Sequence, residues 1–494
     1  MLRILASSST KYLNSFKTLT LLTLISIYDW SYIAKPPIAV GVDGYYYVLQ
    51  LNSLLTTGKL YYSSSTPVLF YLMLFFNYII DDTVLTIKFT AIVLHLLFSL
   101  AIYLIISNLT KNKWLGLLGC ALLTVSNLHL FMLANFIKSL CGLTFLTWAG
   151  FNLIKFLETK NKLWLGASVF LSVLAVFSHK SIFFILLILL FLMFLIYLTF
   201  YVFTEKWKRI TVIVFLFILF LSPQIVLYQS LISLPQWLLN EISGKTYWAF
   251  GKAIFVEVFF LLVLSFLVIS YSVYFRHRLS STALTLFCAI AAWSILITLN
   301  PFINPNDYSS EPIIERLRAL AYIQIAILTP GLLWMILSTH KQSLPYALAA
   351  IIPLICLGHI LGEIPHDIED DYLERRAQII QNLPKYKEQL ESSIVIAHHG
   401  DQFVVTAILN VPSKKDLTPM ENHKSVYWLI DYEEKDFNVE SGVLPLAHNS
   451  KGKLSGLIGY SALERLLETM EETQRNRFIN RNKYLRRFLD SKNN

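Results

Sequence analysis

Runs of about 20 apolar residues recur from Phe16 to Leu361, each long enough to cross roughly 30 Å of hydrocarbon. About eleven spans are predicted on this basis: Phe16–Ala34, Val84–Leu109, Leu115–Phe131, Leu140–Leu157, Leu163–Phe177, Ser181–Phe203, Ile210–Tyr228, Ala253–Phe275, Ser280–Leu299, Ala319–Leu337 and Tyr346–Leu361. Charge is correspondingly scarce: 15% of the 494 residues are charged, against roughly a quarter in a soluble chain. A soluble enzyme, a nucleic-acid binder and a secreted disulfide scaffold are all excluded. The expected fold is an all-α polytopic membrane bundle, residues 1–362, followed by a small α/β extracytoplasmic domain, residues 363–494.

The net charge of +9 divides unevenly. Residues 1–362 hold 23 Lys/Arg against 11 Asp/Glu, and the remainder 18 against 21, so the excess belongs to the membrane half and points to no nucleic acid. With the N-terminus in the cytoplasm, Lys111, Lys113, Lys155, Lys160, Lys162, Lys206, Lys208, Arg209, Arg276 and Arg278 fall on the inner side, as the bias of short basic loops requires. Asp43, Asp81, Asp82, Glu241, Asp307, Glu311 and Glu315 fall outside. This alternation holds only if Pro67–Ile80 does not cross, and with about 14 residues it is too short to do so. A multi-pass plasma (bacterial inner) membrane protein is implied, with the C-terminal domain outside. Cys120, Cys141, Cys288 and Cys356 lie within apolar runs and read as buried thiols.

Two helices are predicted to lie on the outer surface. Along Val42–Gly58, Tyr47, Val48, Leu51, Leu54 and Leu55 share one face; Gln50, Asn52, Ser53, Thr56 and Thr57 take the other, and Gly58 is a natural stop. Pro67–Ile80 is the second. In the C-terminal domain, Asp371–Leu390 and Ala462–Leu489 read as helices, whereas Ser393–Ala397, Phe403–Leu409 and Ser425–Ile430 read as strands.

Asp43, in Gly41-Val42-Asp43-Gly44-Tyr45-Tyr46-Tyr47, follows the first span. A carboxylate at a membrane surface, crowded by three tyrosines, suits the removal of a proton from a sugar hydroxyl. An N-cap for the helix that begins here is the competing account.

The order of a first span, an outer loop opening Asp43-Gly44-Tyr45-Tyr46-Tyr47, a surface helix ending Leu54-Leu55-Thr56-Thr57-Gly58, and then Pro67-Val68-Leu69-Phe70-Tyr71 resembles the GT-C membrane glycosyltransferases. The nearest branch is that of the protein O-mannosyltransferases, the aminoarabinose transferases and RgtA/B/C/D-like lipopolysaccharide-core transferases. The resemblance covers about Phe16 to Leu361. It implies a GT-C-like bundle and gives Asp43 the role of the catalytic or acceptor-orienting acid, with Tyr45 and Tyr46 as substrate-binding neighbours. Many relatives add a second acid that helps to hold a divalent metal. Here Gly44 follows Asp43, and the second outer loop, Asn127 to Lys138, has no acid and offers His129, Asn135 and Lys138. One carboxylate is a poor site for a hard cation. No metal ligands are assigned and no cofactor is expected to be required; a divalent cation is the open alternative, to which Asp81-Asp82 would contribute unless they only start or cap the second span.

A lipid-phosphate donor calls for cations at the outer face. Arg316 and Arg318 stand just before an outward-facing span entrance, and the resemblance suggests one of them as the phosphate clamp; interfacial anchoring is the alternative. Lys138 and the pair His179-Lys180 sit at other outer ends, where basic residues need a reason. They read either as phosphate-pocket lining or as tight polar turns. Asp29 within the first span reads as paired with a neighbouring span, and Lys88 as a snorkelling side chain. His398-His399-Gly400-Asp401 reads as a turn after a strand rather than as a metal site.

The function expected is transfer of a sugar from a polyprenyl-phosphate donor to a lipid-linked glycan, lipopolysaccharide or protein acceptor outside the membrane, by an inverting GT-C-type hexosyl- or pentosyltransferase. The rival is a multi-pass transporter or flippase without covalent chemistry. A transporter calls for polar or Gly/Pro-broken midplane helices, and the polar residues here gather on one face.

Overall fold

The structure is a computed structural model that describes residues 2–61, 67–126, 128–197, 251–275, 281–299, 320–339, 370–391, 393–397, 400–410, 413–414, 425–433, 443–448, 453–482 and 485. The chain divides into two compact units. One comprises Met1–Trp30, Ile92–Leu133 and Ile137–Pro365; the other comprises Ser31–Ala91, Ala134–Phe136 and His366–Asn494. Residues 31–91 therefore group with the C-terminal segment.

The helices in chain order are α1 (Leu2–Ile33), α2 (Gly44–Thr57), α3 (Val68–Ile80), α4 (Thr83–Thr110), α5 (Lys113–Val125), α6 (Leu128–Asn135), α7 (Ile137–Thr159), α8 (Lys162–Ser178), α9 (Lys180–Tyr197), α10 (Gly251–Phe275), α11 (Ser281–Leu299) and α12 (Ala321–Thr339). They follow the apolar runs closely. Among the described residues α4, α7 and α12 are each long and apolar enough to cross a bilayer alone. The predicted spans Ile210–Tyr228 and Tyr346–Leu361 lie outside the described residues. Outward-facing large apolar side chains such as Leu163, Phe170 and Phe177 on α8 would be costly in water and suit lipid.

In the first unit, α7 and α8 form a hairpin joined at Lys160-Asn161, where Asn161 caps α8 through Leu163 N. Hydrogen bonds tie α7 to α4: Thr144 Oγ1 donates to Leu94 O (3.2 Å) and Trp148 Nε1 to Leu97 O (3.0 Å). At the end of α7 remote from Lys138, Glu158 pairs with Lys111 (2.7 Å) and Lys155 (3.3 Å). One expectation needs correction: Leu115–Phe131 is not one straight span. Ser126 turns extended, its Oγ accepts from Leu128 N, and α5 and α6 meet at a bend of 67°. A serine that caps a new helix halts the old one, so most of the predicted second outer loop is helical.

In the second unit, α3 has 13 residues, about 20 Å of helix, too short to cross. Asp81 ends it in a left-handed conformation and Asp82 Oδ1 then accepts from Leu85 N (2.7 Å), which explains the acidic pair as end-caps. Lys88 Nζ donates to the carbonyls of Ala34 and Pro36. The C-terminal part contains α13 (Asp370–Asn382), a 3-10 turn (Leu383–Tyr386), α14 (Lys387–Leu390), β1 (Ser393–Ile396), α15 (Asp401–Leu409), β2 (Ser413–Lys414), β3 (Ser425–Glu433), β4 (Val443–His448), β5 (Lys453–Gly459), α16 (Tyr460–Thr469) and α17 (Glu472–Arg481). The sheet runs β2-β1-β3-β5-β4, with β1 parallel to β2 and β3 and the other pairs antiparallel. Ile394, Ile396, Trp428, Ile430 and Ile458 pack on Leu463, Leu467 and Phe478.

Phe403–Leu409, predicted as a strand, is helical. Strands β1 and β2 are parallel, and a parallel pair needs a crossover; α15 provides it despite its β-branched content. The helix predicted over Asp371–Leu390 is interrupted at Pro384, and that over Ala462–Leu489 breaks at Met470-Glu471.

Candidate active site

The loop between α1 and α2 is held from two directions. Gly41 has φ +82°, and a Cβ there would lie 2.5 Å from Ala134 O, so only glycine fits. Asn135 Oδ1 accepts from Val42 N (2.6 Å) and Asp43 N (3.4 Å), and Tyr47 Oη donates to Asn135 O (3.3 Å). From the C-terminal part, Arg376 Nη1 donates to Gly41 O. Gly400 (φ +98°) lies so near that a Cβ would stand 2.8 Å from both Val42 Cγ1 and Val42 O. The ring of Tyr46 meets Phe403 edge-on at 5.3 Å and Tyr47 at 5.4 Å.

Asp43 occupies the N-cap position of α2, yet its side chain makes no capping hydrogen bond. The helix start is closed instead by main-chain bonds, Gly44 N to Gly41 O and Tyr47 N to Asp43 O, each 3.3 Å. Asp43 is part-exposed and Tyr45 is buried. Burial pushes the Tyr45 hydroxyl up from its ordinary range, with Arg376 pulling the other way. Helix α2 departs from its predicted faces: Gln50 is buried, its Oε1 accepting from Tyr61 N (2.8 Å), whereas Leu55 is exposed. The C-terminal part supplies the reason, since α15 packs on α2 and a helix with protein on one side no longer buries only its apolar stripe.

In the first unit, Lys138 opens α7 and His179 ends α8 in an extended conformation, its N–H donating to Ala175 O (3.3 Å). Cys141 Sγ lies 3.6 Å from Ser178 Oγ, and a Cβ on Gly142 would come 2.7 Å from Ile182 Cγ1. The first turn of α7 thus adjoins the α8–α9 junction, which brings Lys138 and His179 to one end of this helix group. Lys180 begins α9; its side chain lies outside the described residues, as do Arg316, Arg318, His398 and His399. Asp43, Tyr45 and Tyr46 belong to the other unit.

A polar cluster that sequence reasoning only touched lies deep in the first unit. Asp29 accepts from His95 Nδ1 (2.6 Å) and His129 Nε2 (3.2 Å), all three side chains being buried. His129 Nδ1 also meets Ser126 O, and the imidazoles of His95 and His129 stack at 5.3 Å. The signal for it was a carboxylate inside an apolar run, which must be paired. Nothing in the sequence marked Arg376.

Among the described residues no three His, Cys, Asp or Glu side chains are placed to hold a metal. Among the described residues the Asp43 loop carries a single carboxylate, and Asn135 Oδ1 is engaged with two amides.

Residues 64–226 match the family described as dolichyl-phosphate-mannose-protein mannosyltransferase. No curated protein matches the chain. Among solved structures it is similar to the apo oligosaccharyltransferase of Archaeoglobus fulgidus (13% identity, TM-score 0.49), covering 80% of this chain and 64% of that one. It is also similar to ArnT from Cupriavidus metallidurans bound to undecaprenyl phosphate (11% identity, TM-score 0.48; 90% and 98% covered).

Proposed function

We propose that this chain, whose residues 64–226 match the dolichyl-phosphate-mannose-protein mannosyltransferase family, is a GT-C-type integral-membrane glycosyltransferase that takes a sugar from a polyprenyl-phosphate donor and passes it to a lipid-linked glycan, lipopolysaccharide or protein hydroxyl outside the membrane. The observation that carries this reading is an acid, Asp43, whose backbone is fixed by Asn135 and whose carboxylate is not used to cap its helix. A fixed carboxylate beside a surface helix suits a general base acting on a lipid-borne substrate.

In this reading Asp43 takes the proton of the acceptor hydroxyl as its oxygen bonds to the anomeric carbon. The bond from that carbon to the carrier's phosphate oxygen breaks on the opposite side, which inverts the configuration. The polyprenyl phosphate leaves as an anion, and Arg316 or Arg318 with Lys138, His179 and Lys180 would stabilise the charge that develops on it. Tyr46, part-exposed one helical turn from the acid, would contact substrate; Tyr45, being buried, would shape the floor beneath it. No step requires a nucleotide or a metal. The short helix α3 and the basic ends of α4 and α7 support an orientation with the N-terminus cytoplasmic and the C-terminal domain extracytoplasmic.

The test is incubation of the purified protein in liposomes with a polyprenyl-phosphate sugar and a lipid-linked glycan acceptor. Release of free polyprenyl phosphate in step with acceptor glycosylation is expected. Intact donor moved across the bilayer, with no release, would overturn the reading.

A further inference from the structure

We propose that Arg376 is a positioning residue for Asp43, and that the C-terminal domain is thereby part of the catalytic centre; this inference rests on the reading of Asp43 as the acid. Arg376 is completely buried. Burying a guanidinium is expensive unless its partners compensate it; here Nη1 and Nη2 have partners, and Nε has none among the described residues. Its Nη2 lies 3.6 Å from Asp401 Oδ1 and donates to Tyr372 Oη, while its charged carbon sits 4.6 Å over the Tyr372 ring. The neighbouring Arg375 holds the other oxygen of Asp401 (3.2 Å) and Asp431 (2.8 Å), and Asp431 in turn accepts from Ser455 Oγ (2.6 Å), its register partner across β3 and β5. The sheet therefore anchors Asp401, and Asp401 helps to anchor Arg376.

What this apparatus grips is a carbonyl two residues before Asp43. Arg376 Nη1 takes Gly41 O, and Gly41 O is also the acceptor of the Gly44 N–H that closes the turn around Asp43. Two further contacts from the same side are independent of the arginine: Gly400 against Val42, and Phe403 against Tyr46. Together with Asn135 on the amide side, the loop is held through the amides of Val42, Asp43 and Gly44 and the carbonyls of Gly41 and Asp43. A buried ion network serving one loop carbonyl is a costly way to stabilise a fold and an effective way to fix a reactive group, because displacement of an acid by about 1 Å can cost about 10²-fold in rate.

The experiment compares wild-type, Arg376→Gln, Arg376→Lys, Phe403→Leu and Asp43→Asn full-length proteins in liposomes, by transfer kinetics and by amide hydrogen exchange of the peptide covering residues 38–48. Arg376→Gln is expected to lower kcat by about 10²-fold with little change in donor KM, and to speed exchange at residues 41–44. Arg376→Lys should recover part of both. Phe403→Leu, which leaves the ion network intact, should give a smaller change in the same direction. Asp43→Asn should lose kcat with exchange unchanged, and adding Arg376→Gln to it should lower the residual rate no further. If Arg376→Gln keeps wild-type kcat and protection, the positioning role is wrong while Asp43 stands. If Asp43→Asn is fully active, the acid assignment falls, and the positioning role falls with it even where Arg376→Gln loosens the loop. Should Arg376→Gln fail to fold, Arg376→Lys and Phe403→Leu decide: unaltered kcat in both overturns the inference.

Discussion

His129 meets Asp29 through Nε2 at 3.2 Å and the carbonyl of Ser126 through Nδ1. Both partners are acceptors, so the His129 ring is held between a buried carboxylate and a main-chain carbonyl. His95 adds a second hydrogen bond to the same acid. Removing one member of a buried pair leaves an uncompensated charge and costs about 3–5 kcal/mol. Asp29→Asn should therefore lower thermal stability markedly in detergent, and so should His129→Leu. The double variant should be less destabilised than the sum of the two, and this coupling is readable from a double-mutant cycle of melting midpoints. Simple additivity would mean that the two side chains are not coupled.

Asp43 separates the two accounts of its position by where its loss is felt. A helix cap contributes about 1 kcal/mol to stability, whereas a general base contributes about 10²–10⁴-fold in rate. Because its carboxylate forms no capping bond, Asp43→Asn should melt within a degree or two of wild type and lose transfer by the larger factor. A clear drop in melting temperature with transfer preserved would return Asp43 to the role of a cap.

Much of the helical framework was legible because it depends on neighbours in sequence: apolar runs gave most of α1–α12, Gly58 the end of α2, and thirteen residues the limit on α3. Two of the misreadings come from contacts beyond the local sequence. Gln50 is buried because protein covers α2, and 401–409 is helical because two parallel strands must be connected. The polar partnerships were hidden for the same reason. Asp29 pairs across 66 and 100 positions, and Arg376 reaches Gly41 across 335. Periodicity reports which face is covered and not what covers it, so Asp43 could be named from its motif but the side chains that hold it could not.

Tyr45 gives the start of α2 an alkaline limit. Burial raises its hydroxyl above the ordinary value of about 10, and Arg376 offsets this only in part. The folded state thus holds this proton more tightly than the unfolded chain. Its contribution is complete below about pH 10 and is lost as pH rises through the folded value. Melting midpoints measured across pH 8 to 11, a window set around that pKa, should fall above pH 10, and Tyr45→Phe should make the fall shallower. An identical slope in the variant would show that the hydroxyl is solvated.

Asn135 is placed to decide whether the loop needs its amide-side support. Its single Oδ1 serves Val42 N and Asp43 N, and its own carbonyl takes the Tyr47 hydroxyl. Leaving such donors without an acceptor costs about 1–3 kcal/mol. Asn135→Ala should therefore destabilise the protein by about that amount and, by loosening the acid, reduce kcat more than donor KM. Asn135→Asp retains an acceptor of the same shape and should restore most of the stability, measured by the same melting assay. If Asn135→Ala instead raised KM alone, the residue would be contacting substrate rather than supporting the peptide that carries Asp43.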